Sequence, residues 1–558
     1  MWEDVRGQTT VTIRCPRGRL SGDRNFRLPK NIENLLEGEE TLMSQEQMVP
    51  RSSNEQNGGV RVAPIFALMI AGAFVAFLNQ TLMNVALPQI MDRLHISATT
   101  ADWLASIYML VNGIVIPITA FLLERFTTRQ LYLVSMALFA AGTLVCGVAP
   151  NFFTLLAGRV IQAAGAGVLM PLVTNVIFSL FPVQRRGWAM GIFGIALNFA
   201  PALGPTLSGW IVEHHSWRIL FFIILPIALV DLVVSVLFLR NETETRNPSL
   251  DVWGVILSSL GFGGILYGFS NAGSVGWGAT DVVISFAVGG ISLLGFVWRQ
   301  LSIDQPILEF RIFRYPMFTL TTVILLIVTM AMFAGMLLMP IYMQNVRGFS
   351  PLMSGLMLLP GGVVMGIMSP ITGRLFDKIG ARWLAVVGLG VTTVTNYALT
   401  RLQLDTSFAY VTAVYTARMF GMSILMMPIM TAGLNQLPQR YYPHGTAMSN
   451  TLRMVSGAVG MALLVSIMAS RAAAHLKQLM VSHHILPTDK VQVADLSRQA
   501  LVMGINDAFM IATGLLVVAF ILAFFLQKTT PMPDFISVAR SRRQKTRISR
   551  RVALGVRE

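Results

Sequence analysis

Long apolar stretches separated by short polar segments fill the sequence from about residue 62 to residue 527. An α-helix needs roughly 20 apolar residues to cross the hydrocarbon core of a bilayer. Fourteen stretches reach this length, so the pattern predicts an all-α integral membrane protein with fourteen transmembrane helices. The predicted helices begin near Val62, Trp103, Leu131, Phe153, Trp188, Ile219, Trp253, Val282, Phe318, Met353, Trp383, Ala409, Ala447 and Ala508.

Composition supports a membrane protein. Of the 558 residues 54% are hydrophobic and only 12% are charged, and the mean hydropathy is +0.63. A soluble domain carries about a quarter of its residues as charged side chains. Two cysteines, Cys15 and Cys146, are too few for a disulfide framework. No lysine follows a glycine, so the Gly-Lys-Ser/Thr loop that binds ATP phosphates is absent from the sequence.

The two ends of the chain are polar. Residues 1–61 have no apolar periodicity, which predicts a disordered cytoplasmic segment. The segment Glu37-Gly38-Glu39 can be encoded by a purine-rich stretch resembling a ribosome-binding site, so we hypothesise that translation starts at Met43 or Met48. Residues 528–558 hold nine Lys or Arg against two acids, a large part of the net charge of +15. A basic tail directly after a span predicts contact with anionic membrane lipids and not with nucleic acid.

Positive charge in the short loops predicts the orientation. Alternate loops hold Arg125, Arg129, Arg185, Arg186, Arg240, Arg246, Arg299, Arg311, Arg314, Arg374, Lys378, Arg382 and Arg440. The opposite short loops hold only Arg93, Arg218, Arg347 and Arg401. Because Lys and Arg are retained on the cytoplasmic side, both termini are predicted to be cytoplasmic. Residues 471–506 are then predicted to form the one large external loop.

One loop pattern occurs twice. The segment 120–129 reads A-F-L-L-E-R-F-T-T-R, and the segment 373–382 reads G-R-L-F-D-K-I-G-A-R. Acid, base and a further base share their offsets, at Glu124, Arg125 and Arg129 and at Asp377, Lys378 and Arg382. An arginine inside a predicted span is a second repeated feature, with Arg159 in the fourth predicted helix and Arg418 in the twelfth. The pattern predicts two six-helix bundles, residues 62–240 and 317–527, with two helices inserted between them over residues 251–299.

The fifth predicted helix contains an unusual Gly- and Pro-rich segment, G-I-A-L-N-F-A-P-A-L-G-P-T-L-S-G, at residues 194–209. Pro201 and Pro205 each remove a backbone donor at membrane depth, which favours a kink. Gly204 and Gly209 let another helix approach closely. Two interpretations stay open, a seam between two moving bodies and a helix that only packs tightly.

These motifs resemble the major facilitator superfamily. Gly204, Pro205 and Gly209 match the antiporter motif of its fifth helices, with Ser208 where Gly is usual, and Gly373, Asp377, Lys378, Gly380 and Arg382 match its G-x-L-x-D-[RK]-x-G-x-[RK] loop. Over residues 62–527 the chain is most similar to fourteen-helix drug:proton antiporters of the EmrB/QacA type, and among them to lincomycin-resistance-type exporters.

The resemblance implies a monomeric exporter that needs no cofactor and is driven by the proton gradient. It also implies that Asp377 and Glu124 contact helix ends and basic residues and so hold the outward-open state. In the first loop Ala120, Thr127 and Thr128 replace the usual Gly, Gly and Arg, which weakens this expectation for Glu124. The alternative is a solvated loop whose positive charges only fix the topology.

The first helix departs from its relatives in the residue that would carry a proton. Its segment L-N-Q-T-L-M-N-V-A-L-P, residues 78–88, has Asn79 where most relatives have Asp, and an amide cannot bind and release a proton near neutral pH. Asp231 is the carboxylate placed well inside a predicted span, so we expect it to carry the proton. The alternatives are an Asp satisfied by a neighbour or one that reaches the lipid surface. Asp102, Asp507 and Glu124 are further candidates.

Arginines at membrane depth are also candidate site residues. Arg159 lies in L-x-G-R-V-I-Q-A-A-G-A-G, which resembles the fourth-helix motif whose Arg is linked to proton transfer. An arginine inside a membrane is costly and usually faces a cavity or a partner, so a structural Arg159 bonded to carbonyl groups is the alternative. Arg418 and Arg453 follow the same reasoning, and Asn79 and Asn84 complete the residues predicted for a cavity.

The sequence therefore predicts a proton-coupled exporter of small lipophilic compounds or antibiotics in a bacterial cell membrane. Cargo made by the cell itself, a lipid, peptide or metabolite, is the alternative within transporters. A membrane enzyme is the alternative outside them, but it would need clustered catalytic groups. The pairs His214-His215 and His483-His484 stand apart from any H-E-x-x-H motif or carboxylate pair.

Overall fold

The computed structural model describes residues 62–239, 250–303, 305–483 and 490–527. The predictions for residues 1–61, for the start at Met43 or Met48 and for the lipid-binding tail 528–558 lie outside the described residues.

Fourteen helices are long and apolar enough to cross a membrane, and the described residues contain no strand, so the all-α prediction is confirmed. The helices are α1 (Val62–Leu94), α2 (Ala98–Arg125), α3 (Thr128–Val148), α4 (Phe152–Leu180), α5 (Arg186–His214), α6 (Arg218–Phe238), α7 (Val252–Val275), α8 (Thr280–Ser302), α9 (Pro316–Ile341), α10 (Pro351–Ile379), α11 (Ala381–Ala398), α12 (Phe408–Asn435), α13 (Tyr442–Ser482) and α14 (Lys490–Ala523).

Polar residues between the apolar runs cap the helices that follow. Thr127 forms a capping box with Gln130 at the start of α3, and the Asn151 side chain accepts a hydrogen bond from the Thr154 N–H at the start of α4. Such caps satisfy backbone donors that would otherwise lack a partner. The helices can therefore follow one another through very short loops.

Helices α1–α6, here called the first half, pack mainly among themselves, and so do α9–α14, the second half. The most extensive contact between the halves joins α5 to α10, and a second contact joins α2 to α13. Helix α5 also packs against α1. It therefore lies at the boundary between the two halves.

Helix α7, the first helix of the inserted pair, lies across the α2–α13 contact. Ser270 of α7 is hydrogen-bonded to Ser106 of α2 at 2.9 Å, and just beyond α7 the Trp277 indole donates to Ser466 of α13 at 2.7 Å.

Burial acts to raise the pKa of Asp251, at the start of α7, but hydrogen bonds from Arg299 and other donors outweigh it and hold the pKa below its usual value. The Asp251–Arg299 ion pair, at 2.7 Å, joins α7 to α8.

The predicted external loop 471–506 is largely helical instead. Helix α13 continues to Ser482, and α14 begins at Lys490 and not near Ala508. The extensions are polar but rich in Ala, Leu, Gln, Lys and Arg, which are good helix formers. Asp507 of α14 accepts from Arg471 and His475 of α13 at 2.6 and 2.9 Å. Hydropathy marks only the part of a helix that is apolar enough for lipid, so the prediction ended α13 too early and began α14 too late.

Candidate functional site

Two acidic side chains reach from one half to the other at the end of the molecule where α5 and α13 begin. The Asp377 carboxylate accepts hydrogen bonds from the backbone N–H groups of Gly187 and Trp188, both at 2.9 Å. Glu124 Oε1 lies 3.3 Å from Nε2 of His444, the third residue of α13. We call this end, with Glu124, Asp377 and His444, the motif end. Each acid of the repeated loop thus lies at a helix N-terminus of the opposite half, where negative charge is favoured.

The basic residues of the two loops have other positions. Arg129 donates to the carbonyl of Val236 at the end of α6, at 2.8 Å. The side chain of Arg382 lies over the ring of Trp383 at 5.7 Å. Arg125 and Lys378 are exposed. Gly380 ends α10 with φ of 81°, a conformation that explains glycine at this motif position.

Arg186 is a contact residue that the sequence did not distinguish. It was expected to be a loop charge, yet it is 7% exposed. Its guanidinium donates to Asn435 at 3.1 Å and to the Tyr442 hydroxyl at 2.8 Å, both in the second half, and to the carbonyl of Phe178 at 2.7 Å. Arg185, its neighbour, is exposed. A pair of arginines in a loop carries no signal for which of them turns inward.

Helices α5 and α10 approach each other most closely beside the motif end. A side chain at Gly373 would overlap the backbone of Gly187, and one at Gly191 would lie 2.5 Å from the carbonyl oxygen of Ser369. Further along the same contact, Asn198 donates to the Ser369 hydroxyl at 3.3 Å. Small residues on both helices therefore bring the two backbones together.

The Gly- and Pro-rich segment of α5 contacts both halves. A side chain at Gly204 would overlap Thr81 of α1, so this glycine is needed for a close approach. Ser208, where relatives have Gly, donates to the Leu82 carbonyl of α1 at 2.6 Å. Gly209 would accept a larger side chain, since the nearest atom of Leu352 lies 3.6 Å from the position of an added Cβ. The Pro201 side chain lies outside the described part, and Pro205 faces the cavity that follows.

A cavity of about 370 Å³ lies between the halves and is lined by residues from α1, α2, α4, α5, α9, α10, α12 and α13. Most of its surface is apolar, and methionine is the most frequent lining residue. The methionines are Met109, Met170, Met332, Met336, Met426, Met454 and Met461. Polar groups also line it, among them Gln80, Tyr108, Asn112, Asn198 and Gln344. Such a mostly apolar space with a few polar groups is typical of a site for small lipophilic molecules.

Of the four residues predicted for the cavity, Arg453 lines it. Asn79 is 2% exposed and lies beside Tyr108, outside the cavity lining. Arg418 is buried within the second half, where it donates to the carbonyl of Ala331 at 2.6 Å. The side chain of Asn84 lies outside the described part of the chain. The two arginines thus have different surroundings: Arg453 lines the cavity, whereas Arg418 packs inside the second half.

Arg159 is held inside the first half. It donates to the Leu104 carbonyl at 3.2 Å and to Gln162 at 2.9 Å, and its guanidinium lies 4.2 Å from the centre of the Tyr108 ring. This placement fits the carbonyl-bonded interpretation. Tyr108 lines the cavity, so its ring is the contact between Arg159 and the cavity lining. A role of Arg159 in proton transfer stays a prediction.

Asp231 is buried between α1, α3 and α6 and does not belong to the cavity lining. It is 5% exposed, so it does not reach a lipid surface. The Tyr132 hydroxyl donates to Oδ2 at 2.7 Å, while Oδ1 has no hydrogen-bond partner among the described residues. Helix α1 presents Gly72 to this pair and Ala73 to the cavity. Asp231 thus lies one helix away from the cavity.

Comparison with known proteins identifies the family. The profile of the Major Facilitator Superfamily matches residues 69–461, well over half of the chain. The chain belongs to the Major Facilitator Superfamily. The predicted resemblance is therefore confirmed, and the protein is a multi-pass membrane transporter and not an enzyme.

Relatives within the Major Facilitator Superfamily cover most of the chain. An uncharacterized MFS-type transporter of Bacillus subtilis, YhcA, is 49% identical over 83% of this chain and 92% of its own length. The lincomycin resistance protein LmrB of the same organism is 41% identical over 86% and 99%. The multidrug export protein EmrB of Haemophilus influenzae is 30% identical over 78% and 85%.

A solved structure shows the same fold. The human organic anion transporter MFSD10 (TETRAN) matches with a TM-score of 0.60 over 82% of this chain and 98% of its own. Because the sequence identity is only 14%, this likeness concerns the fold alone.

Proposed function

We propose that this transporter exports small lipophilic compounds, antibiotics among them, in exchange for protons, by exposing one cavity alternately to the two sides of the membrane. The similarity to LmrB, a lincomycin resistance protein, and to EmrB, a multidrug export protein, supports drug export. The observation that carries the proposal is the position of the cavity between two halves that polar contacts join at the motif end. Transport in this scheme uses no cofactor.

The contacts at the motif end are of a kind that a moving protein can break and remake. Asp377 contacts backbone donors of α5, Glu124 contacts His444, and Arg186 contacts Asn435 and Tyr442. Each joins one half to the other, and each can be replaced by water when the halves separate. The distribution of Lys and Arg supports a cytoplasmic motif end with both termini inside the cell, and on that basis we assign the structure to the outward-facing state.

Asp231 is the group that we propose to bind the proton. It is buried, it has a single hydrogen-bond donor, and no cationic partner lies within 4 Å among the described residues. A buried carboxylate without a cationic partner is costly, whereas the neutral acid is tolerated. Movement of α1, which lies between Asp231 and the cavity, would couple its proton to the cargo. Glu124, opposite His444, and Arg159, beside Tyr108, are the further candidates for a part in proton coupling.

The test uses inside-out membrane vesicles from cells that express the full chain. Respiration acidifies the vesicle lumen, and an acridine dye reports the pH gradient. Lincomycin and lipophilic dyes of either charge are added in turn. We expect at least one of them to be taken up in a protonophore-sensitive manner and to discharge part of the gradient.

The same assay tests the proton site. Asp231→Asn should abolish the discharge, whereas Asp92→Asn, the same substitution at an exposed position of α1, should preserve it. Uptake that ignores the protonophore would overturn proton coupling. Full proton-driven uptake by Asp231→Asn would remove Asp231 from the mechanism and leave the antiporter standing.

A further inference from the structure

The cavity between the halves contains a single charged side chain among the described residues that line it, and that side chain is Arg453. No Asp or Glu belongs to the lining. The other polar lining groups are neutral amides and hydroxyls, such as Asn112, Asn198 and Tyr108. The cavity therefore has positive charge and no internal negative charge to balance it.

Arg453 keeps most of its hydrogen-bonding capacity available. Its NH2 group lies 3.1 Å from the sulfur of Met170, across the boundary between the halves. A thioether is a weak acceptor, whereas a guanidinium presents five N–H donors. No carboxylate lies within ion-pair distance of Arg453 in the described part of the chain. This differs from Asp251 and Arg299, or from Asp507 and Arg471, where acid and base are paired.

Arg159 and Arg418, which are fully buried, donate to backbone carbonyls inside one half and lie outside the cavity lining. Arg453 thus differs from them in facing the space where cargo would bind. A guanidinium forms strong, two-point hydrogen bonds to a carboxylate or another planar oxyanion.

We propose that Arg453 binds an acidic group of the cargo and that the transporter prefers lipophilic organic anions. This rests on the proposed export function and names its substrate class. The methionines and phenylalanines of the cavity receive the apolar body of the cargo, because flexible thioethers adapt to different shapes. A lipophilic cation would meet like charge at Arg453 and find no carboxylate to compensate for its lost hydration.

An anion bound at Arg453 would also lie between the two halves of the molecule. The residue lies on α13 in the second half, and its neighbour Met170 lies on α4 in the first half. An oxyanion bound between them contacts both halves at once. Cargo binding then contributes to the contacts that change when the halves move.

The test compares two dyes with one skeleton and opposite charge. Fluorescein methyl ester is a monoanion at mildly alkaline pH, and rhodamine 123 is a monocation on the same xanthene ester. Binding to the purified full chain in lipid nanodiscs is followed by fluorescence polarisation, and efflux from cells is followed in parallel. We expect the anion to bind about tenfold more tightly or better, the factor that one charge-assisted hydrogen bond provides.

Variants assign the preference to one side chain. Arg453→Gln should remove most of the difference between the dyes, and Arg453→Lys should retain part of it, since Lys keeps the charge without the two-point geometry. Lys477→Gln removes one positive charge at an exposed position of the same helix and should leave the difference unchanged. Size-exclusion profiles establish that each variant is folded.

The outcomes are distinct. Equal binding of both dyes, or tighter binding and faster efflux of the cation, would overturn the anion preference and leave drug export standing. A preference that survives Arg453→Gln would also overturn the role of Arg453. If neither dye binds or leaves the cells, the anion preference and the proposed export of lipophilic compounds both fall.

Discussion

Asp377 acts on α5 as an N-cap residue acts within its own helix, but it does so from the opposite half of the molecule. Its two oxygens accept from two consecutive backbone N–H groups, those of Gly187 and Trp188. Charge-assisted bonds of this kind are stronger than neutral ones, and the positive end of the helix dipole adds to them. This one side chain therefore favours the state in which the motif end is closed.

We expect Asp377→Asn to weaken this closure by about 1–2 kcal/mol, because the amide keeps the shape and loses the negative charge. Spin labels at Gln184→Cys and Gln439→Cys, one on each half at the motif end, report the separation in a background with Cys15 and Cys146 replaced by Ser. The distance distribution should gain a longer component. Asp405→Asn, the same substitution at an exposed position remote from the motif end, is the control. An unchanged distribution in Asp377→Asn would contradict a gating role.

The sequence alone could not assign all of these residue roles. The repeated loop pattern predicted Glu124 and Asp377, because acid and base occur at the same offsets twice. It could not predict His444 or Arg186, whose roles depend on which residues the opposite half brings near. Arg453 and Arg418 are both arginines in apolar runs, and the sequence predicted both for the cavity. Only tertiary packing places the first in the cavity and the second beside Ala331.

At the scale of elements, the contact between α5 and α10 depends on glycine. Gly187 and Gly191 of α5 face Gly373 and Ser369 of α10, and no side chain separates the backbones there. Close backbone approach favours association of helices in a membrane, where apolar side chains gain little from leaving lipid. The absence of side chains also lets the two helices tilt against each other without interlocking.

Gly373→Ala should force α5 and α10 apart beside the motif end. The added methyl group would overlap backbone atoms of Gly187, which cannot turn aside as a flexible side chain can. With the same pair of spin labels we expect a longer distance, and the transport rate should fall at least about tenfold, since a barrier change of 1.4 kcal/mol suffices for that factor. Gly514→Ala on α14, where an added methyl group meets no atom within 4 Å, should behave as the parent chain. Retention of parent distances and rates by Gly373→Ala would contradict the close contact.

The helices themselves were predictable because lipid imposes a minimum apolar length on each of them. The residues at which the helices end were less predictable. Helix α13 continues through polar residues to Ser482 because helix propensity, and not hydropathy, decides where hydrogen bonding stops. The partners of α5 were not predictable either, since Gly204 and Ser208 turn to α1 whereas Gly187 and Gly191 turn to α10.

At the scale of the whole molecule, the two boundary contacts differ. The α5–α10 contact involves the two helices directly, whereas α7 spans the α2–α13 contact through Ser270 and Trp277. Helix α7 and the residues just after it thus touch both halves on that side. Any relative movement of the halves must carry α7 with one of them or break one of these hydrogen bonds.

Orientation in the membrane gives a prediction for the whole chain. A membrane-impermeant maleimide should label Lys477→Cys, on the α13 extension, in intact cells. It should label Gln184→Cys, at the motif end, only after the cells are made permeable, because the loop arginines predict that this end lies inside the cell. Both variants are made without Cys15 and Cys146. The opposite labelling pattern would contradict a cytoplasmic motif end.

The preference for anionic cargo that we propose for Arg453 has a consequence for the energy that drives transport. In the proposed exchange an anion moves outward while a proton moves inward, so both transfers carry charge across the membrane in the same electrical sense. One anion for one proton moves two elementary charges, each worth about 2.3 kcal/mol per 100 mV of membrane voltage. A cation exchanged for one proton would move no net charge. An exporter with this cavity can therefore continue to work from voltage when the pH on the two sides of the membrane is equal.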